Sequence, residues 1–222
     1  MAAPRILVTG FTPFPGAPVN PTEHLIRALE REPARLSALG EVRLEILPVE
    51  YAAVPGCLET LGAEFRPDIA VHFGLSARAT GFTLERLARN ANASARPDNA
   101  GDLPPPEIFA GEADLRSTLP LDAIAAGLER AGLPVAWSDD AGGYLCNFTF
   151  YLACSPRFAR YTPAMAGFVH VPPLLDADPH HPHAMTVETL ERGARIVLEA
   201  CTAAWRRSRN EKGPDEPGLS EA

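Results

Sequence analysis

Asp68-Ile69-Ala70-Val71-His72-Phe73-Gly74 is the stretch on which the fold turns. It is a short, nearly continuous apolar run, bounded by Pro67 and a terminal glycine. A strand covered on both faces has no solvent side to alternate toward, so this run predicts a central parallel strand. Upstream, a helix is expected from about Ala53 to Phe65, closed by Pro67. Before it, Val42 to Val49 alternates apolar and polar residues, as a strand nearer the sheet edge does. Arg5 to Thr9 (RILVT) reads as a buried first strand. Asn20-Pro21-Thr22-Glu23 then opens a helix running to about Arg31, with Asn at the cap and Pro at the first helical position.

Downstream the alternation continues. A short strand-like piece spans Phe82 to Leu87, followed by a long polar loop containing Arg96-Pro97-Asp98-Asn99; a loop that long is usually functional or covers a site. Leu121 to Ala131 is expected to be a helix ended by Gly132, and Leu133 to Trp137 a strand. Asp139 to Tyr144 is a tight turn, and a helix follows from about Leu145 to Ala153. Ala166 to Val171 is a strand cut off by Pro172-Pro173. The last helix is expected from about Thr186 to Arg206, on an apolar stripe through Leu190, Ala194, Val197, Cys201 and Trp205. Strands alternating with helices predict an α/β fold with a parallel sheet covered by helices. Residues 1–206 are read as one domain, and the polar, Gly- and Pro-rich stretch 207–222 as a disordered tail.

The chain has 222 residues, 20 Lys+Arg against 28 Asp+Glu, and a formal net charge of −8. An acidic balance argues against a phosphate-tracking nucleic-acid binder, which needs a concentrated basic surface. No apolar run approaches the roughly 18 residues of a membrane span. The opening Met1-Ala2-Ala3-Pro4-Arg5 does not read as a secretory signal, so a cytoplasmic location is expected. Cys57, Cys146, Cys154 and Cys201 are scattered without a CxxC pair, as buried thiols in a reducing compartment are.

In open α/β sheets, ligands bind beyond the carboxyl ends of the strands. That rule selects Gly10 to Asn20, the segment from Leu75 onward, Asp139 to Asn147, and the end of the strand at His170. Cys146 opens a helix after a Gly-Gly turn, where helix N–H groups face its sulfur and stabilise negative charge there. A cysteine at such a point is either inert packing or a nucleophile, and a strand histidine either a satisfied core residue or a base.

Longer blocks add to this. LVTGFTPFPGAPVNP (Leu7 to Pro21), ERLARN (Glu85 to Asn90), PDNAG (Pro97 to Gly101), SDDAGGYLCNFTFY (Ser138 to Tyr151) and GFVHVPPL (Gly167 to Leu174) together resemble pyroglutamyl peptidase type I, in order and approximate spacing. The resemblance implies a three-layer αβα sandwich with a mostly parallel central sheet. It also implies a cofactor-free cysteine exopeptidase that removes N-terminal pyroglutamate from peptides, often as a homotetramer. By position, Cys146 matches the nucleophile, His170 the general base and Glu85 the carboxylate. Asp98, in the covering loop, is the rival acid. Glu85 could instead be a surface carboxylate paired with Arg86 or Arg89.

A pyroglutamyl residue is a flat, uncharged lactam, so its pocket should be apolar and aromatic with a few amide-type hydrogen bonds. Phe11 and Phe14 are expected to stack on the ring, Leu145 to close the wall and Asn20 to hold the loop; alternatively the two Phe are core residues and Asn20 only a helix cap. The chain departs from the family at Phe14-Pro15-Gly16, where PFGG is usual, and at Leu75-Ser76-Ala77-Arg78, where a Gly-rich turn is usual. Phe148 stands where a second histidine is common. Ala95 occupies the place of an expected arginine, shifted here to Arg96. These departures bear on substrate choice more than on the triad, and leave open a relative with the same triad acting on another acyl or amide substrate, or an inactive one. His180-His181-Pro182-His183 is set aside as a metal site, since adjacent histidines split by proline converge poorly on one ion. Asp139-Asp140 reads as part of the turn delivering Cys146.

Overall fold

The computed structural model of the protein describes residues 3–94 and 96–211. Ala95 and the tail residues 212–222 lie outside it. The elements in chain order are β1 (Arg5–Phe11), α1 (Pro21–Leu29), α2 (Pro33–Ser37), β2 (Glu41–Leu47), α3 (Ala53–Glu64), β3 (Ile69–Leu75), β4 (Phe82–Glu85), β5 (Leu87–Ala88), β6 (Leu115–Arg116), α4 (Leu121–Arg130), β7 (Val135–Ser138), α5 (Leu145–Cys154), β8 (Met165–Val171) and α6 (Val187–Glu211).

Six strands form one sheet in the order β2-β1-β3-β8-β4-β7, and β5 pairs with β6 in a two-stranded ribbon. The run Asp68 to Gly74 is β3, central as expected, flanked by β1 and β8 in parallel register. The alternating segment is β2, at an edge. Helices cover both faces. Leu25, Ile26 and Leu29 of α1, Ile124 and Leu128 of α4 and Leu190, Val197 and Leu198 of α6 pack with Ile6, Val8, Val71 and Val169. On the other face, Leu58 and Leu61 of α3 and Phe150 and Leu152 of α5 pack with Leu7, Ala70 and Phe168. The fold is therefore α/β, a mixed and mostly parallel sheet between two helical layers.

Two expectations change. β4 runs antiparallel to β8 and parallel to β7, so two strands of the six oppose the other four. The parallel crossover therefore stops at β8, and the edge beyond it is built in the reverse sense. The last helix does not end near Arg206 but continues through Glu211, so the boundary expected at 206/207 falls inside α6.

Candidate active site

The register of the sheet brings the predicted residues together. Gly74 of β3 pairs with His170 of β8, which pairs in turn with Thr83 of β4. Glu85, two residues past Thr83, projects from the same face of the strand because side chains alternate. Its Oε1 lies 2.7 Å from His170 Nδ1. A carboxylate only accepts, so Nδ1 carries the hydrogen and Nε2 is left to face elsewhere. Both side chains are buried; His170 is 5% exposed and Glu85 1%. Glu85 Oε2 is buried with no hydrogen-bond partner among the described residues.

Cys146 approaches from the helical layer. It is the second residue of α5, whose N-cap, Tyr144, makes no side-chain capping bond. The first-turn N–H groups, that of Cys146 among them, therefore have no partner within the helix. Gly74 gives the sulfur its place: a Cβ there would come within 2.9 Å of Cys146 Sγ and 2.6 Å of Phe168 Cζ. Burial alone would lower the pKa of His170. Negative charge on the neighbouring Cys146 sulfur, then the Glu85 carboxylate bonded at Nδ1, outweigh burial and raise it from 6.5 to about 10. The arrangement can thus present sulfur, imidazole and carboxylate in sequence, with the imidazole held protonated.

The other cysteines differ. Burial pushes the thiols of Cys154 and Cys201 up to about 12, and it is also the main cause raising that of Cys57. Of the four, Cys146 is the one that lines the cavity of about 750 Å³ beside His170 and Glu85.

Asp98 points away from the imidazole into its own loop, where its carboxylate accepts from the N–H groups of Tyr51 (2.7 Å), Ala100 (2.9 Å) and Asp102 (2.9 Å). Burial would raise its pKa, but these backbone donors, with Gly101, outweigh it and hold the carboxyl below its ordinary value. Arg86 is taken by Asp139, and Arg89 lies 3.7 Å from Asp140, so neither competes for Glu85.

The sequence pattern of the pyroglutamyl peptidase family matches residues 4–204. This chain belongs to that family. It is 38% identical over 201 residues to the pyrrolidone-carboxylate peptidase of Gloeobacter violaceus, covering 88% of this chain and 95% of the relative. With the pyrrolidone-carboxylate peptidase of Pyrococcus furiosus it shares 36% over 172 residues, 76% of this chain and 80% of that one. The crystal structure of pyrrolidone carboxyl peptidase from Pyrococcus furiosus superposes with a TM-score of 0.80 at 31% identity, covering 90% of this chain and 99% of that chain.

The pocket residues expected from the chemistry of a lactam fall into two kinds. Phe11, Phe14, Asn20 and Leu145 all line the cavity. Phe11 and Leu145 are buried, whereas Phe14 is partly open, its ring 5.9 Å from that of Tyr144. Asn20 is a true helix cap: its Oδ1 accepts from Thr22 N (3.1 Å), while Nδ2 donates to Thr12 O (3.0 Å) and ties down the loop. Cap and loop anchor are one role.

The departures also have places. Phe148, where a histidine is common, is buried edge-on against Tyr51 at 5.3 Å. Arg96 reaches back to the first loop, its guanidinium 5.9 Å from the Phe14 ring centroid and beside Gly16. Of the set-aside histidines, His181 donates from Nε2 to Ala77 O (2.9 Å) and accepts from His183 N (3.3 Å) at Nδ1. Sequence reasoning missed Gly74 and Asn147. Asn147, next to Cys146, is fully buried and clamps α5 to the chain, accepting from Arg89 N (2.8 Å) and donating to the carbonyls of Arg89 and Ala91 (both 2.9 Å). A buried amide beside a candidate nucleophile is the signal that could have found it.

Among the described residues, no helix is long and apolar enough to cross a membrane.

Proposed function

We propose that this protein is a cysteine exopeptidase that removes N-terminal pyroglutamate from peptides through a thioester on Cys146. The observation that carries the reading is the buried His170–Glu85 pair beside Cys146, in a chain of this family, lining one cavity together with Phe11 and Phe14. An amide carbonyl is a poor electrophile, so the site must supply a negative sulfur, a proton for the leaving nitrogen and donors for the oxygen.

Cys146 Sγ attacks the pyroglutamyl carbonyl carbon; the C–S bond forms and the π pair moves to oxygen. The Cys146 N–H at the head of α5 faces that oxyanion. As the tetrahedral species collapses, the C–N bond breaks and His170 gives its Nε2 proton to the leaving amine. Water then loses a proton to His170 and attacks the thioester, the C–S bond breaks, and pyroglutamic acid leaves. Glu85 holds the Nδ1 hydrogen throughout, keeping the ring in the useful tautomer. Because His170 is the acid for the leaving amine, activity should fall as pH rises through about 10.

Hydrolysis of a pyroglutamyl arylamide, with and without iodoacetamide, tests the reading. Thiol-sensitive hydrolysis is the expected result. Rapid alkylation of Cys146 without hydrolysis would replace the substrate by another acyl group, and a sluggish sulfur would point to an inactive relative. The family resemblance supports a cytoplasmic homo-oligomer, a homotetramer, which sedimentation of the purified protein reads directly.

A further inference from the structure

The cavity is electrically lopsided in a protein whose net charge is −8. Its charged lining residues are Arg78, Glu85, Arg96, Asp140 and His170. Glu85 and His170 are paired, and Asp140 lies 3.7 Å from Arg89 and accepts from Gly142 N at 3.1 Å. Arg78 and Arg96 have no ion-pair partner among the described residues. Two uncompensated cations therefore face a cleft in which the lactam itself carries no charge.

The two arginines enter the cleft from different segments of the chain. Arg96 lies over Phe14, on the wall expected to take the lactam ring. Arg78 sits in the connection between β3 and β4. These strands flank β8 on either side, so residues 76–81 must cross the carboxyl end of β8, where His170 lies. The leaving amine takes its proton from His170 and so departs on that side. The crossing is also built to hold its shape. Ser76 N donates to Val171 O (3.0 Å), Ala79 N to Ser76 O (3.0 Å) and Arg78 N to Ser76 Oγ (3.3 Å). His181 pins Ala77 O from outside at 2.9 Å, which gives that histidine a positioning role.

We infer that Arg78 reads a carboxylate on the departing peptide, making the enzyme selective for pyroglutamyl substrates with negative charge just behind the scissile bond. The inference rests on the peptidase reading above and names its substrate class. The charge has two sources, the free C-terminal carboxylate of a pyroglutamyl dipeptide or an acidic side chain in the first departing residue. A planar guanidinium donates two parallel N–H bonds to either one. Arg78 is exposed, so the preference is modest and salt-sensitive, about fivefold in kcat/KM at low ionic strength.

The test uses the full chain and four substrates. Pyroglutamyl-alanine against its C-terminal amide isolates the main-chain carboxylate; pyroglutamyl-glutamate amide against pyroglutamyl-glutamine amide isolates the side chain. The purified protein should prefer the charged member of at least one pair, less so at high salt. Arg78→Gln should bring that ratio to one, and Arg78→Lys should restore part of it. Arg96→Gln should lower both members of a pair together and leave the ratio standing. Hydrolysis of all four substrates without discrimination, or a ratio that survives Arg78→Gln, overturns the role of Arg78 and leaves the peptidase reading intact. Failure to cleave any of them, or a pyroglutamyl arylamide, overturns both.

Discussion

His72 and His170 lie on neighbouring strands of one sheet, on the same face, with Phe168 between them. The Phe168 ring centroid is 6.5 Å from that of His72 and 4.9 Å from that of His170. Both side chains are buried, yet their protonation is driven in opposite directions. Among the described residues, His72 bonds to the neutral Thr9 Oγ1 at 2.8 Å and Tyr161 OH at 3.4 Å, and burial lowers its pKa to about 3. His170 feels the same burial, but Cys146 and Glu85 raise it to about 10. Depth in the fold does not decide whether a histidine is a core residue or an acid–base group; the charge of its partners does.

The largest way to break this contrast is to remove the sulfur. Cys146→Ala should lower turnover of a pyroglutamyl arylamide by at least about a thousandfold, as loss of a nucleophile does in other triads. It should also lower the pKa of His170, read by NMR of the imidazole, toward the behaviour of His72. Near-normal turnover would sink the assignment. Glu85→Gln comes next, with a loss on the order of a hundredfold, smaller than that of His170→Ala because the base is misoriented rather than deleted. Asp98→Asn should cost activity less than Glu85→Gln and stability more, since Asp98 serves its own loop. A raised histidine stabilises the fold fully below its unfolded pKa near 6.5, and that contribution is lost as pH rises through about 10. Thermal melts of Cys146→Ala and Glu85→Gln should therefore show a shallower alkaline decline.

Much of this was legible in the chain. Asp68 to Gly74 declared a central strand because a doubly covered strand must be apolar on both sides. Cys146 stood out by opening a helix after two glycines, with packing and nucleophile both left open, and Asn20 by preceding Pro21. The choice between Glu85 and Asp98 was not decidable from local pattern, because both are acids near polar loops; it needed the register that sets Thr83 opposite His170. The reversed direction of β4 and β7 was also illegible. A connection as short as residues 76–81 cannot return to the far end of the sheet, so a strand it feeds beside β8 must run against β8; what no residue spells out is that β8 comes to lie between β3 and β4. The far end of α6 escaped because its apolar stripe stops at Trp205. Helix continues there on local contacts, with Ser208 Oγ donating to Trp205 O at 2.8 Å and Arg209 over the Trp205 ring at 5.7 Å.

Gly74 sharpens the contrast from the side of space rather than charge. It shares a face with His72, two residues earlier on β3, and stands opposite His170. In Gly74→Ala the new Cβ would meet Cys146 Sγ at 2.9 Å and Phe168 at 2.6 Å, so sulfur and ring must both yield. Small displacements of reacting groups are expensive, and a loss of about tenfold or more in kcat is expected. The pKa of His170 should drop as the sulfur retreats while that of His72 stays low. Unchanged activity would show that the glycine is not what seats the nucleophile.

The smallest effect on activity is expected at His72, and it tests the other half of the comparison. With a native pKa near 3 against an unfolded value near 6.5, His72 is neutral in the fold over a range where the unfolded chain binds a proton. The unfolded state then holds more protons, so stability rises with pH across that window and is lost as pH falls through it, by on the order of a few kcal/mol in total. His72→Gln keeps an uncharged amide beside Thr9 and Tyr161 and removes the titration. Chemical denaturation between pH 3 and 7 should show a flatter acid limb for the variant, with kcat within about threefold of the parent at neutral pH, as for a residue outside the reacting groups. An acid limb of unchanged slope would mean that other groups carry it and that His72 is not held neutral by its burial.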